Sequence, residues 1–185
     1  MIIAEGHRQL AETGYARFSA REVAKRIGYS IGTVYNVLGS HDQLMLAING
    51  VTLDRWQAHL EARLAGATEN RLYGAIEAYF EFAILHRNLW TALYDFRLPE
   101  GEAMPDYYEQ KVRAITGLVI DEIAAELPDA CAGQAEPLAR SLLACVHGHC
   151  FFTLNGTFRL LGETDPLKAA YKRVSEAIAA CGDGL

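Results

Sequence analysis

Apolar residues along this chain recur at helical rather than alternating spacing, in blocks separated by glycine, proline and short polar runs. The first block, MIIAEGHRQLAETG, places Ile3, Leu10 and Ala11 at helical spacing and closes on Gly14, a residue suited to a helix end. The next, SAREVAKRIG, predicts a short second helix. Ser19 and Glu22 there have the spacing of a capping box, and Gly28 stands at the exit. A third helix begins at Ser30. A fourth opens at Ser40, where Asp42 complements the helix dipole and Gln43 completes a second capping box, and it runs to about Leu64.

Beyond it the same period predicts helices over residues 71–86, 87–96, 105–126, 136–161 and 166–181, with the five prolines near the breaks. No stretch has the pattern of a strand, so the expected fold class is all-α. The segment AIEAYFEFAILHRNLWTALYDF is apolar nearly all round, as in a helix pair lying inside a body rather than on its surface.

Two short helices separated by IGYS have the size and spacing of a helix-turn-helix. Val23, Ala24 and Ile27 would face Val34 and Leu38, and Val37 also counts among the core-type residues of the third helix. That leaves Gly32, Thr33, Tyr35 and Asn36 facing outward. Glycine lets backbone approach a phosphate, the two hydroxyls reach phosphates, and an amide addresses a base edge or a phosphate.

A net charge of −6 argues against nucleic acid until it is divided along the chain. Residues 1–50 carry Arg8, Arg17, Arg21, Lys25 and Arg26 against Glu5, Glu12, Glu22 and Asp42, leaving 12 basic and 19 acidic residues to the rest. A mildly basic head on an acidic body predicts modest non-specific attraction to DNA. The four cysteines, Cys131, Cys145, Cys150 and Cys181, form no C-x-x-C pair and follow no signal peptide, so reduced cytoplasmic thiols are expected. No apolar run is long enough for a membrane span, and no membrane partner is expected.

The longer string AETGYARFSAREVAKRIGYSIGTVYNVLGSHDQLMLAI closely resembles the N-terminal domain of the tetracycline-repressor (TetR) family of transcriptional regulators. The resemblance rests on Gly14-Tyr15, Ser19, the REVA of helix two, Ser30, Gly32-Thr33, Tyr35 and the capped fourth helix containing Leu44. It implies a helix-turn-helix DNA-binding domain over residues 1–46 and a ligand-binding and dimerisation domain over 47–185. It also implies a homodimer on a double-stranded, palindromic operator, governed by a small-molecule effector, and no enzymatic activity. Carried residue by residue, it puts Gly32, Thr33, Tyr35 and Asn36 on the recognition helix, begun at Ser30, with Arg21 and His41 near the DNA backbone. Where members often carry Lys or Arg early in that helix this chain has Ile31, and the frequent Lys opening helix four is His41. The sequence starts inside helix one and does not include the basic N-terminal arm of many members. Each lost cation lowers the counterion-release contribution, and a DNA contact through His41 would make binding pH-dependent.

In the body, PLKAAYKRVSEAIAAC sets Leu167, Tyr171, Val174, Ile178 and Cys181 at alternating spacings of four and three, a seam suited to knobs-into-holes packing. Leu142, Cys145, His149 and Phe152 lie on the preceding helix, where Ala144, Gly148 and Gly156 permit close approach. Two helices from each subunit would form a four-helix dimer interface; the alternative is that these stripes pack within one chain. CVHGHCFFTLNGTF also resembles the His-Gly signature of one C-terminal subfamily of these regulators.

The rings and polar tips of Phe82, His86, Trp90, Tyr94, His147 and Phe151 are the candidate lining for a mainly apolar, partly aromatic effector. His147 and His149, two apart on a helix, point about 200° from each other, and His147 with Cys150 supplies too few ligands for a closed zinc site. No metal or other cofactor is expected.

Three functions fit these residues. The leading one is a ligand-responsive repressor. The second is a small-molecule sensor or carrier with a weakened DNA-binding head, favoured by Ile31 and His41. The third is a hydrolase using His147 as base and Cys150 as nucleophile, which lacks an evident third group or oxyanion loop. In the first, the fourth helix carries Leu44, Ile48 and Val51 toward the head and Leu53, Trp56, Leu60 and Leu64 toward the body, and would transmit the signal.

Overall fold

The computed structural model describes residues 1–66 and 70–183, and these residues are mostly helical with no strand. Ten helices follow in order: α1 (Ile2–Thr13), α2 (Ala20–Arg26), α3 (Ile31–Leu38), α4 (His41–Gly66), α5 (Arg71–Leu85), α6 (Arg87–Asp95), α7 (Asp106–Glu126), α8 (Ala135–Leu154), α9 (Thr157–Leu161) and α10 (Pro166–Asp183). No helix among the described residues is long and apolar enough to cross a membrane. The chain divides into two compact units, one of residues 1–57 and 85–112, the other of residues 58–84 and 113–185.

In the first unit α1 packs on α2 and α6, and α2 packs on α3. Leu10, Val23, Ala24, Val34, Leu44, Met45, Leu46 and Ile48 form its core, each essentially free of solvent. Burial of each larger side chain contributes about 1.5–3 kcal/mol. α1 comes so close to α4 at Gly6 that a Cβ there would lie 2.5 Å from Ile48 Cδ1. Asn88 donates to the Ala11 carbonyl (2.7 Å), tying the start of α6 to the end of α1.

The first capping box closes differently from the sequence expectation. Ser19 Oγ accepts the Glu22 N–H (3.3 Å), but the Ser19 N–H donates to buried Gln9 Oε1 (2.9 Å) on α1. The Glu22 carboxylate is taken instead by Arg26 (3.3 Å). A tertiary acceptor thus satisfies the donor that the local motif would have satisfied.

In the second unit α8 packs along α10, and Leu142, Val146, Cys150, Ala170, Val174 and Ile178 are buried there. Glu122, buried on α7, receives the Arg71 fork through two bonds of 2.9 and 2.6 Å, and Arg71 also donates to the Leu64 carbonyl (2.8 Å). The single helix expected over 136–161 is two. Gly156 adopts φ 79°, in the left-handed region, and Asn155 Oδ1 accepts from the Thr157 N–H (3.1 Å) and hydroxyl (2.6 Å), restarting the chain as α9. Gly156 is therefore a helix break, not a close-approach position within a helix.

Candidate functional site

The candidate DNA-binding face is built on α3, an eight-residue helix held at both ends by its neighbours. Ser30 Oγ accepts the Thr33 N–H (3.1 Å) and lies 2.9 Å from the Thr33 hydroxyl, so one of the two hydroxyls expected to face outward, that of Thr33, already serves the cap. At the other end Gly39 turns the chain at φ 93°, and Ser40 Oγ accepts the Gln43 N–H (3.1 Å) to open α4. Val34 is fully buried; Ile31, Thr33, Tyr35 and Leu38 are half-buried; Gly32, Asn36 and Val37 are exposed. A Cβ on Gly32 would meet only Ser30 Oγ within 4 Å, at 3.6 Å, so this face of the backbone is open.

Two placements differ from the sequence reading. Tyr35 is half sunk rather than fully outward, and Val37, counted with the core, is 65% exposed. Spacing did not decide this: Val37 lies four residues after half-buried Thr33 and three after fully buried Val34, so helical period relates it to both faces. Arg21 is exposed on α2, and exposed His41 meets the Phe18 ring edge-on at 6.1 Å with its Nδ1 3.6 Å from Asp42 Oδ1.

Two of the head's cations, Arg8 and Arg26, are paired with carboxylates of the head itself, and Arg17 Nε donates to the Thr13 carbonyl (3.2 Å). Arg8 pairs with Glu5 (2.7 Å) and Glu12 (2.8 Å), and Arg26 with Glu12 (3.0 Å), Glu5 and Glu22 (each 3.3 Å). The Arg8 hydrogen bond holds the Glu5 carboxyl below its ordinary range. This network joins α1 to α2 across an exposed surface. Arg17, Arg21 and Lys25 remain exposed beside α3 in the chain.

The six residues assigned to an effector fall three to each unit. His86, Trp90 and Tyr94 belong to the first, where the Trp90 and Tyr94 rings are 5.1 Å apart. Phe82, His147 and Phe151 belong to the second. There His147 Nδ1 lies 2.9 Å from the Tyr79 hydroxyl and the imidazole stacks on Phe151 at 6.3 Å and 16°, while Phe82 meets His59 at 5.9 Å. Burial lowers the pKa of His147, favouring neutral imidazole. Tyr79 and His59 are the neighbours that sequence spacing did not single out as site residues.

Of the residues assigned to dimerisation, Leu142, Val174 and Ile178 are buried within their own chain, whereas Cys145, His149, Phe152, Leu167 and Tyr171 keep surface. Tyr171 receives a bond from Asn70 (2.9 Å), and His149 Nδ1 lies 2.8 Å from the Cys145 carbonyl. α9 folds back through Phe158, whose ring is 5.4 Å from both Phe152 and His149, and leaves Leu160 84% and Leu161 67% exposed. The thiol of Cys150 is pushed up to about 12 by burial, the opposite of what a nucleophile requires. Among the described residues no three His, Cys, Asp or Glu side chains converge as metal ligands would.

Known proteins resemble this chain in sequence and in fold. Over 131 residues, 67% of this chain, it is 27% identical to the HTH-type transcriptional regulators Rv1816 of Mycobacterium tuberculosis and Mb1846 of Mycobacterium bovis. The match covers 55% of the length of those relatives. Among solved structures, a protein of unknown function from Rhodococcus sp. RHA1 superposes with a TM-score of 0.77 at 22% identity, covering 96% of this chain and 93% of that one. The multidrug binding protein EbrR, complexed with imidazole, gives 0.61 at 17%, covering 96% and 92%, and a TetR transcriptional regulator from Legionella pneumophila gives 0.56 at 16%, covering 96% and 95%. These likenesses establish the shared all-α fold. Residues 2–48 match the bacterial regulatory proteins of the tetR family, and residues 72–178 match the tetracyclin repressor-like C-terminal domain. The matches span both parts of the chain, which thus belongs to the tetR family of DNA-binding transcriptional regulators.

Proposed function

We propose that this chain is a cytoplasmic, ligand-responsive repressor. It acts as a homodimer that sets two copies of α3 in successive major grooves of a palindromic operator and leaves it when a small, mainly apolar effector binds. The observation that carries this reading is the open face of α3, where Gly32, Asn36 and Val37 are exposed between the Ser30 cap and the turn at Gly39. The effector reading is supported by the Tyr79–His147 pair beside the Phe151 ring, a polar contact among aromatic side chains. The multidrug binding by the neighbour EbrR points the same way. Dimerisation is supported by the bare Leu160 and Leu161 and by Gly148, where a Cβ would meet no described atom within 4 Å.

A mobility-shift titration of the full chain against the DNA upstream of its own gene tests the reading. The wild type is expected to shift the duplex, Asn36→Ala to weaken it by about 1–3 kcal/mol with changed preference among sites, and an apolar aromatic effector to reverse the shift. The second reading, a sensor with a weakened head, draws on the internal pairing of Arg8 and Arg26. Small-molecule binding without any DNA shift would select it.

A further inference from the structure

We infer that Val37 is a specificity-determining residue that reads a thymine methyl group in the major groove, an inference that rests on the DNA-binding reading of α3. Val37 is the most exposed apolar side chain of α3, at 65%, while Val34 is fully buried and Ile31 and Leu38 are half-buried. A short helix that shelters its other apolar residues leaves this one in the open, one residue after exposed Asn36 and one turn after Thr33. Gly39, immediately after Leu38, turns the chain away into α4, so Val37 sits at the end of the outward face.

The chemistry of the groove selects the contact. Base edges there present hydrogen-bond donors and acceptors, which an isopropyl group cannot satisfy, and one apolar feature, the C5-methyl of thymine. Asn36 beside it is able to pair with an adenine edge. The two neighbouring side chains therefore fit a step containing both an A·T pair, read through its amide partner, and a thymine methyl. Packing one methyl against the Val37 methyls removes apolar surface sufficient for about a five- to tenfold gain in affinity.

The test uses the duplex that the full-length wild-type chain selects from a randomised double-stranded library, together with versions in which each thymine in turn is replaced by deoxyuridine, which lacks only the methyl. One replacement per half-site is expected to weaken the wild type about five- to tenfold. Val37→Ala should bind the thymine duplex about as weakly as the wild type binds the deoxyuridine one, and should be indifferent to the replacement. Equal melting temperatures for the two proteins exclude a folding defect, as an exposed position predicts. Wild-type indifference to every deoxyuridine, or an equal loss in Val37→Ala, overturns the assignment while leaving DNA binding intact. Selection of no duplex at all overturns both.

Discussion

The two units bury different kinds of side chain. Among the described residues, the first buries His7, Gln9, Asn49 and Thr52, and the second buries Glu122 as its one polar group. Glu122 is met by the Arg71 fork, and Gln9 accepts the Ser19 N–H. Asn49 is half served: its amide donates to the Ala92 carbonyl at 3.4 Å, while its Oδ1, His7 Nε2 and Thr52 Oγ1 have no hydrogen-bond partner among the described residues. Each such group costs about 1–3 kcal/mol, so these three lower the stability of the first core. The comparison separates two vulnerabilities: the second core is sensitive to an introduced charge, the first to pH.

The largest effect is expected from Val174→Glu. Val174 lies within the chain's own α8–α10 core, so a carboxylate there should cost more than about 4 kcal/mol and abolish cooperative melting by circular dichroism. A fully helical, folded monomer in sedimentation would instead place Val174 at a subunit interface and remove the contrast.

Acid should act on the first core. The pKa of His7 is lowered to about 4, chiefly by burial and then by the charges of Arg55 and His86. Because the folded value lies below the unfolded one of about 6.5, stability is complete above pH 6.5 and declines as pH falls toward about 4. The loss reaches up to about 3 kcal/mol at roughly 1.4 kcal/mol per unit. Urea unfolding at several pH values should show this slope in the wild type and a flatter one in His7→Gln; equal slopes would assign the acid sensitivity to other groups.

The smallest effect on folding should come from Leu160→Ser combined with Leu161→Ser. Both side chains are exposed, so each change should move stability by no more than about 0.5 kcal/mol while raising the dimer dissociation constant. Sedimentation that shows an unchanged dimer would place the interface away from α9.

Helix content was readable because it is written at short range. Ser30 and Ser40 cap α3 and α4 as the spacing required, since a cap joins residues three apart. The break at Gly156 was also signalled, by the Asn155–Gly156 pair, but apolar residues at helical spacing on both sides overrode it. The candidate site was less legible. Gly32 and Asn36 are exposed as expected, yet Val37 was placed with the core because valine is apolar, and the Thr33 hydroxyl, expected to face outward, proved to be shared with the Ser30 cap.

By itself, the sequence determined where helices start, the short helix-turn-helix and the family, since each depends on residue identities within a window of a few turns. Tertiary structure alone decided that Val174 points into its own chain and Val37 away from it, that Gln9 serves a helix ten residues onward, and that the aromatic candidates divide between two units. The physical reason is that an apolar stripe records a preference for burial without naming the surface that buries it. That surface comes from residues distant in the chain, such as α8 against α10, and no local pattern contains it.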